Sequence, residues 1–297
     1  MELKKLQTIL TKFTKNKFRP IISTGMVKDG SLFITDLETN IRIDNTGLSD
    51  GMKDLSVISL TDKTLDMDFD DFPMLQFDES YNHFKVSLAE LKELLDHTSN
   101  DETRIHLNGV AFIENELVGC NGHVSKVIET EYKNDFESSI LPRTSLKIVL
   151  DIAKKAKLKE ITIQVSDSRF TTKIDNVTIS GRIIAREYPK YKAVIPSKTS
   201  KSFELSELPK LADIKPLLNP RGHGVIVESK NGNVILKVKD HDVSFDIGKS
   251  QDEFTLGFNF RYLQLVGNNK TLMFNNELSP VVVRNGNSTN VVMPLKL

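Results

Sequence analysis

The chain has no tryptophan, a single cysteine and no surplus of charge of either sign. One thiol, Cys120, excludes an intramolecular disulfide and suits a reducing compartment, so the expected location is cytoplasmic. Lysine plus arginine and aspartate plus glutamate each number 40. That balance argues against a protein that holds nucleic acid by being basic all over, and leaves open a field that is cationic on one face and acidic elsewhere. No apolar run is long enough to span a bilayer, and Met1-Glu2-Leu3-Lys4-Lys5 leads straight into a helical pattern where a signal peptide would be apolar. No membrane partner is expected. A complete Gly-x-x-x-x-Gly-Lys-Ser/Thr phosphate loop, paired cysteines and His-x-x-x-His spacing are also lacking, and the six histidines are scattered. Neither a cofactor nor a metal ion is expected.

What the chain does have is repetition. A leucine-spaced segment, a Gly-Val-type strand, a turn, a second strand and an Asn or Asp corner recur three times. The first copy runs through Leu3-Lys4-Lys5-Leu6, Gly25-Met26-Val27 and Leu32 to Asp36. The second uses Leu88-Ala89-Glu90-Leu91, Gly109 to Phe112 and Glu116 to Asn121; the third uses Leu205 to Leu208, Gly224 to Val227 and Val234 to Asp240. Units of this size are domains, not turns of a solenoid, and 297 residues suit about two to three of them. Proline-bearing strand ends at Phe72-Pro73, Tyr188-Pro189 and Met293-Pro294 mark the boundaries, giving domains at 1–82, 83–198 and 199–297.

Within the central domain the pattern doubles. Leu88, Leu91, Leu94 and Leu95 mark a helix with Ser87 as N-cap, and strand-like runs are expected from Thr103 to Thr130. Leu146, Val149, Leu150 and Ala153 mark a second helix, followed by alternating strands. A helix with about three strands, twice, is an α+β domain with two helices on one side of antiparallel sheets. The third domain has a short helix after an Asn259 cap. The first begins with a helix carrying Leu3, Leu6, Ile9, Leu10 and Phe13, then shows strand-like runs at Leu55 to Ile58 and Thr64 to Phe69 without a second helical pattern. It is a shortened copy.

Several strings, in order, resemble the bacterial replicative sliding clamp, the beta subunit of DNA polymerase III. They are Phe18-Arg19-Pro20, Leu107-Asn108-Gly109, Asn121-Gly122-His123, Tyr188-Pro189-Lys190-Tyr191 and Val194-Ile195-Pro196, with the ending Val291-Val292-Met293-Pro294-Leu295-Lys296-Leu297. The resemblance covers the second and third domains and the first half of the first. It implies three clamp domains in a homodimeric ring, a DNA processivity factor that encircles duplex DNA without reading its sequence, and no catalysis. It also implies a hydrophobic pocket that captures short peptides of the polymerase and the clamp loader. A phage or mobile-element version would suit the shortened first domain.

The resemblance assigns residues to two jobs. Sliding contact with phosphate falls to cations on helix faces: Lys4, Lys5, Lys12 and Lys15, then Arg19, then Arg143, Lys147, Lys154 and Lys155. The helix near 87–99 opposes them with Glu90, Glu93 and Asp96. Peptide docking falls to apolar walls at Leu107, Val124, Pro189, Val194, Leu278, Val292, Met293, Pro294 and Leu295, with Gly122 and His123 at a corner and Arg104, Asn259 and Tyr262 at a polar rim. The chain departs from the family at Ala185-Arg186-Glu187 and at Ala193. Leu217 and Leu218 are candidates for the apolar part of the subunit contact.

Two other readings compete. Cys120 and His123 are three residues apart and could pair as nucleophile and base, but Cys120 falls at the corner that Thr35 and Lys239 occupy in the other copies, a structural position. A clamp-fold monomer that binds or regulates a polymerase without forming a ring is the alternative of a different class, kept open by the short first domain.

Overall fold

The computed structural model describes residues 1–13, 23–58, 61–77, 82–218, 223–238 and 241–296. In chain order these form α1 (Leu3–Phe13), β1 (Thr24–Lys28), β2 (Ser31–Thr35), β3 (Thr39–Ile43), β4 (Gly51–Asp54) and β5 (Thr64–Leu65). There follow β6 (Asn82–Ser87), α2 (Leu88–His97), β7 (Gly109–Ile113), β8 (Glu116–Cys120) and β9 (Val124–Glu129), then β10 (Ser139–Pro142), α3 (Arg143–Lys155), β11 (Glu160–Val165), β12 (Arg169–Ile174) and β13 (Val177–Arg182). The last part holds β14 (Lys201–Leu205), α4 (Leu211–Ile214), β15 (Gly224–Lys230), β16 (Asn233–Val238) and β17 (Ser244–Lys249). It closes with β18 (Phe254–Asn259), α5 (Phe260–Gln264), β19 (Lys270–Phe274), β20 (Val281–Asn285) and β21 (Ser288–Val292). From β6 onward the order strand, helix, three strands occurs four times. Between β3 and β6 the described residues hold two short strands and a 3-10 turn, with no α-helix.

The chain forms two compact units. The first is Met1–Leu95, Asn108–Glu116 and Thr130–Glu187; the second is Asp96–Leu107, Leu117–Glu129 and Tyr188–Leu297. The first unit's sheet runs β5-β4-β1-β2-β3-β13-β12-β11-β6, antiparallel throughout. In the second unit the strand order is β8-β9-β21-β20-β19-β14-β17-β16-β15-β18. Its core is built from alternate residues of these strands, such as Val225, Val227, Leu236 and Leu256, with Phe258, Phe260 and Leu263 where α5 begins.

Each helix buries the face its period marks. In α1 these are Leu6, Ile9 and Leu10, and in α3 Leu146, Val149, Leu150, Ile152 and Ala153. Burial of one such Leu or Ile contributes about 1.5–3 kcal/mol, so one charged substitution there would undo much of the helix's docking. Helix α2 opens on a capping box: Ser87 Oγ accepts from the Glu90 amide at 3.1 Å, and Glu90 Oε2 accepts from the Ser87 amide at 3.0 Å.

Four expectations need correction. Residues 102–107 are a 3-10 turn and not a strand, because Asp101 accepts from the Thr103 amide at 2.9 Å and its hydroxyl at 2.7 Å and so starts a turn. Leu55 to Ile58 is likewise a turn, since Asp54 Oδ1 takes the Ser56 amide at 2.8 Å just as β4 ends. Only Thr64 and Leu65 of the run to Phe69 are paired as strand. Leu218 belongs to the second unit's own core, which leaves little of it for a subunit contact, while Leu217 packs against that core half-buried.

Candidate functional site

In the second unit the β8–β9 connection makes a tight corner. Asn121 Oδ1 accepts from the amides of His123 at 2.9 Å and Val124 at 3.0 Å, and the Asn121 amide donates to the Val124 carbonyl at 3.1 Å. An asparagine supports such a turn through its own side chain. Gly122 sits at φ 90°, in the left-handed region, and a Cβ there would lie 2.8 Å from Arg104 Nη1. The guanidinium of Arg104 therefore lies over the corner. The Met293 amide donates to the His123 carbonyl at 2.9 Å, tying the segment after β21 to the same turn. Further on, the Leu295 amide donates to the Gly257 carbonyl at 2.8 Å.

Beside this corner opens a cleft of about 210 Å³. It is lined by Leu107, Cys120, Gly122, His123, Val124, Ser125, Pro189, Lys190, Tyr191, Val194, Val291 and Met293, a mainly apolar set. Tyr188, buried beneath Pro189, donates its hydroxyl to the Val118 carbonyl at 3.4 Å and meets Tyr191 edge-on at 6.1 Å between centroids. The 3-10 turn Tyr191–Val194 leaves Val194 44% exposed, an aliphatic side chain offered to a ligand. His123 stacks on Tyr262, with centroids 5.6 Å apart and planes 14° from parallel.

Seven of the expected pocket residues line this cleft together: Leu107, Gly122, His123, Val124, Pro189, Val194 and Met293. Arg104 and Tyr262 border it through Gly122 and His123. Asn259 caps α5, its side chain accepting from the Arg261 amide at 3.0 Å, and so fixes the turn that carries Tyr262. Val292 is core. Pro294 and Leu295 follow Met293 but do not line the cleft, and Leu278 stands 65% exposed on a loop outside it. Cys120, Ser125, Lys190, Tyr191 and Val291 were not anticipated as lining. A sequence signal exists for Lys190 and Tyr191, which follow Pro189 directly; Ser125 and Val291 come in through the register of β9 and β21.

The arrangement accommodates apolar side chains and gives no sign of nucleophilic chemistry. Burial pushes the Cys120 thiol up, only partly offset by the Gly122 amide, which donates to its sulfur at 3.3 Å. A thiol shifted this way is a poorer source of thiolate, which places it with structural cysteines.

The cationic helices both lie in the first unit, where α1 and α3 are neighbours. Lys4, Lys5, Lys147, Lys154 and Lys155 are exposed. Lys12 is exposed but pairs with Asp151 of α3 at 2.5 Å, so part of its charge is already answered. Arg143 is half-buried, with Nη1 donating to the Leu95 carbonyl at 2.8 Å near the C-terminal end of α2, a place where cations are favoured. Glu90 is drawn into the capping box, which leaves Glu93 and Asp96 as the exposed acids of α2. Lys15 and Arg19 lie outside the described residues.

No family model matches the chain. It is 25% identical over 255 residues to the beta sliding clamp of Vibrio cholerae, covering 76% of this chain and 69% of that protein. It is 25% identical over 261 residues to the beta sliding clamp of Chlamydia pneumoniae, covering 79% and 70%. Among solved structures, the DNA polymerase III beta subunit of Thermotoga maritima superposes with a TM-score of 0.79 at 23% identity, over 100% of this chain and 97% of the other. A sliding clamp from Bartonella birtlesii bound to griselimycin gives 0.80 at 18% identity, over 100% and 98%. Fold and sequence together liken the chain to the bacterial sliding clamps. More narrowly, the likeness runs to the beta subunit of DNA polymerase III.

Proposed function

We propose that the chain is the protomer of a DNA sliding clamp: a homodimeric ring that encircles duplex DNA and tethers a polymerase through the cleft at the β8–β9 corner. The observation that carries this reading is the cleft itself, an apolar trough with an exposed Val194 and a backbone-pinned corner, set in a chain that has the clamp fold along its whole length. Its size and lining suit one or two aliphatic or aromatic side chains of a short extended peptide. Arg104, His123 and Tyr262 would supply polar contacts at the rim.

On this reading the three domains are 1–82, 83–198 and 199–297, the first shortened. The exposed lysines of α1 and α3, Lys4, Lys5, Lys147, Lys154 and Lys155, face the duplex, with Lys12 held partly by Asp151. Contact through lysines on helices carries no sequence information and sets no register, which suits a protein that must slide. Enclosure, not affinity, holds the DNA, and a net charge of zero is then no obstacle. The protein works in the cytoplasm and catalyses nothing.

Among the described residues the first domain has no second α-helix, which favours one rival, a monomer of clamp fold that regulates a polymerase. Light scattering separates them. A ring of two gives twice the 33.5 kDa chain mass at micromolar concentration; the mass of one chain would overturn the ring.

A further inference from the structure

The β2–β3 corner of the first unit reproduces the β8–β9 corner bond for bond. Asp36 Oδ1 accepts from the amides of Glu38 at 3.1 Å and Thr39 at 2.6 Å, as Asn121 does from His123 and Val124. The Asp36 amide donates to the Thr39 carbonyl at 3.2 Å. Leu37 sits at φ 80° where the other corner has Gly122 at φ 90°. The Arg182 amide donates to the Glu38 carbonyl at 2.9 Å, matching Met293 on His123. Strand β13 pairs with β3 as β21 pairs with β9, and each corner has a Pro-led segment nearby, Pro73 to Gln76 here and Pro189 to Lys192 there.

This second corner also opens into a cleft, of about 170 Å³. Its lining is of opposite character. Arg169, Arg182, Asn40 and Gln76 contribute to it, and among the described residues no carboxylate does; Leu37 and Met74 also line it, Met74 94% exposed. Arg169 is only 6% exposed and is fixed in place, Nε donating to Ser180 Oγ at 2.8 Å and Nη2 to the carbonyls of Ser180 at 3.3 Å and Glu38 at 3.4 Å. A guanidinium held this way loses little freedom when it meets a carboxylate.

We infer that this cleft is a second peptide-docking site, one that takes an acidic segment in which carboxylates flank an aliphatic side chain. The guanidinia match the carboxylates, and Met74, Leu37 and Leu75 match the aliphatic group. A phosphate backbone would leave that apolar wall unused, which favours a peptide over nucleic acid. The inference stands on the duplicated backbone and the lining of the first unit alone, and does not depend on ring formation or on peptide capture at the other cleft.

The test is fluorescence anisotropy on the full chain with a labelled acetyl-Gly-Asp-Leu-Glu-Gly peptide and its Asn/Gln counterpart. The acidic peptide should bind saturably and the neutral one should not. Arg182→Glu, at an exposed position, should weaken the acidic peptide about tenfold or more, Arg182→Lys should restore part of the loss, and Val194→Asp in the other cleft should change nothing. Equal binding of both peptides, indifference to Arg182→Glu, loss on Val194→Asp, or displacement by a short DNA duplex would each overturn the assignment.

Discussion

The two corners predict opposite answers to opposite substitutions. At Gly122 the backbone is left-handed, which costs a residue with a Cβ about 1–2 kcal/mol. The added carbon of Gly122→Ala would also stand 2.8 Å from Arg104 Nη1. That atom ends a long side chain about half exposed, whose ion pair with Asp101 spans 3.8 Å, so it can swing aside at a cost of a few tenths of a kcal/mol. The sum is about 1–2 kcal/mol, a fall of a few degrees in unfolding midpoint for a chain of this size. Arg104 leaves its place over the corner at the same time, so a hydrophobic peptide should bind the β8–β9 cleft more weakly.

Leu37 holds the matching conformation with a side chain and is 42% exposed. Leu37→Gly relieves about 1–2 kcal/mol of backbone strain and gives back about 0.5–1 kcal/mol in the greater entropy of the unfolded chain. The net is between zero and about 1.5 kcal/mol of stabilisation, less whatever half-exposed leucine burial is lost. Thermal unfolding of the two single variants, with peptide titration for Gly122→Ala, measures both. Gly122→Ala without effect, or Leu37→Gly costing more than Gly122→Ala, would refute the equivalence of the corners.

Lys154→Ala with Lys155→Ala should reduce the dependence of log affinity for DNA on log salt by about 2 per protomer if both touch phosphate, read from binding at several salt concentrations; an unchanged slope would remove them from the DNA face. Asp62 is held down to about 2, first by its hydrogen bond from the buried Lys53, 2.7 Å away. Its folded value is depressed, so the pair's contribution is complete above the ordinary 3.8 and is lost as pH falls toward about 2. Lys53→Met should flatten that acid limb in a series of unfolding midpoints, and an unaltered limb would show that the pair does not report on folding. Cys120→Ser should leave DNA retention and peptide binding as they are, since the thiol only lines the cleft; loss of either would reopen the cysteine's role.

Local patterns carried most of the fold. The helical period of Leu6, Ile9 and Leu10, the Ser87 N-cap and the Asn259 cap are all written within a few neighbouring residues, and each is realised. The turns at Asp54 and Asp101 were also local, but an aliphatic run such as Leu55 to Ile58 outweighs a single aspartate when only hydrophobic period is counted. What the sequence concealed is tertiary. Nothing near Lys12 announces Asp151, 139 positions away, nor does anything near Arg143 announce the Leu95 carbonyl. The cleft was legible through strings quoted from its corner and its Pro189 segment, while Ser125 and Val291 enter it only because β9 and β21 pair in a particular register. The equivalence of Leu37 with Gly122 was hidden because the two residues share a backbone angle and no side-chain property.

Retention on DNA tests enclosure most directly. The protein should be placed on nicked circular DNA with a loader, washed at high salt, and measured before and after the circle is cut once. Sliding off the new ends, with retention on the uncut circle, is the expected result. Equal retention on circle and line, or equal loss from both, would contradict a topological tether.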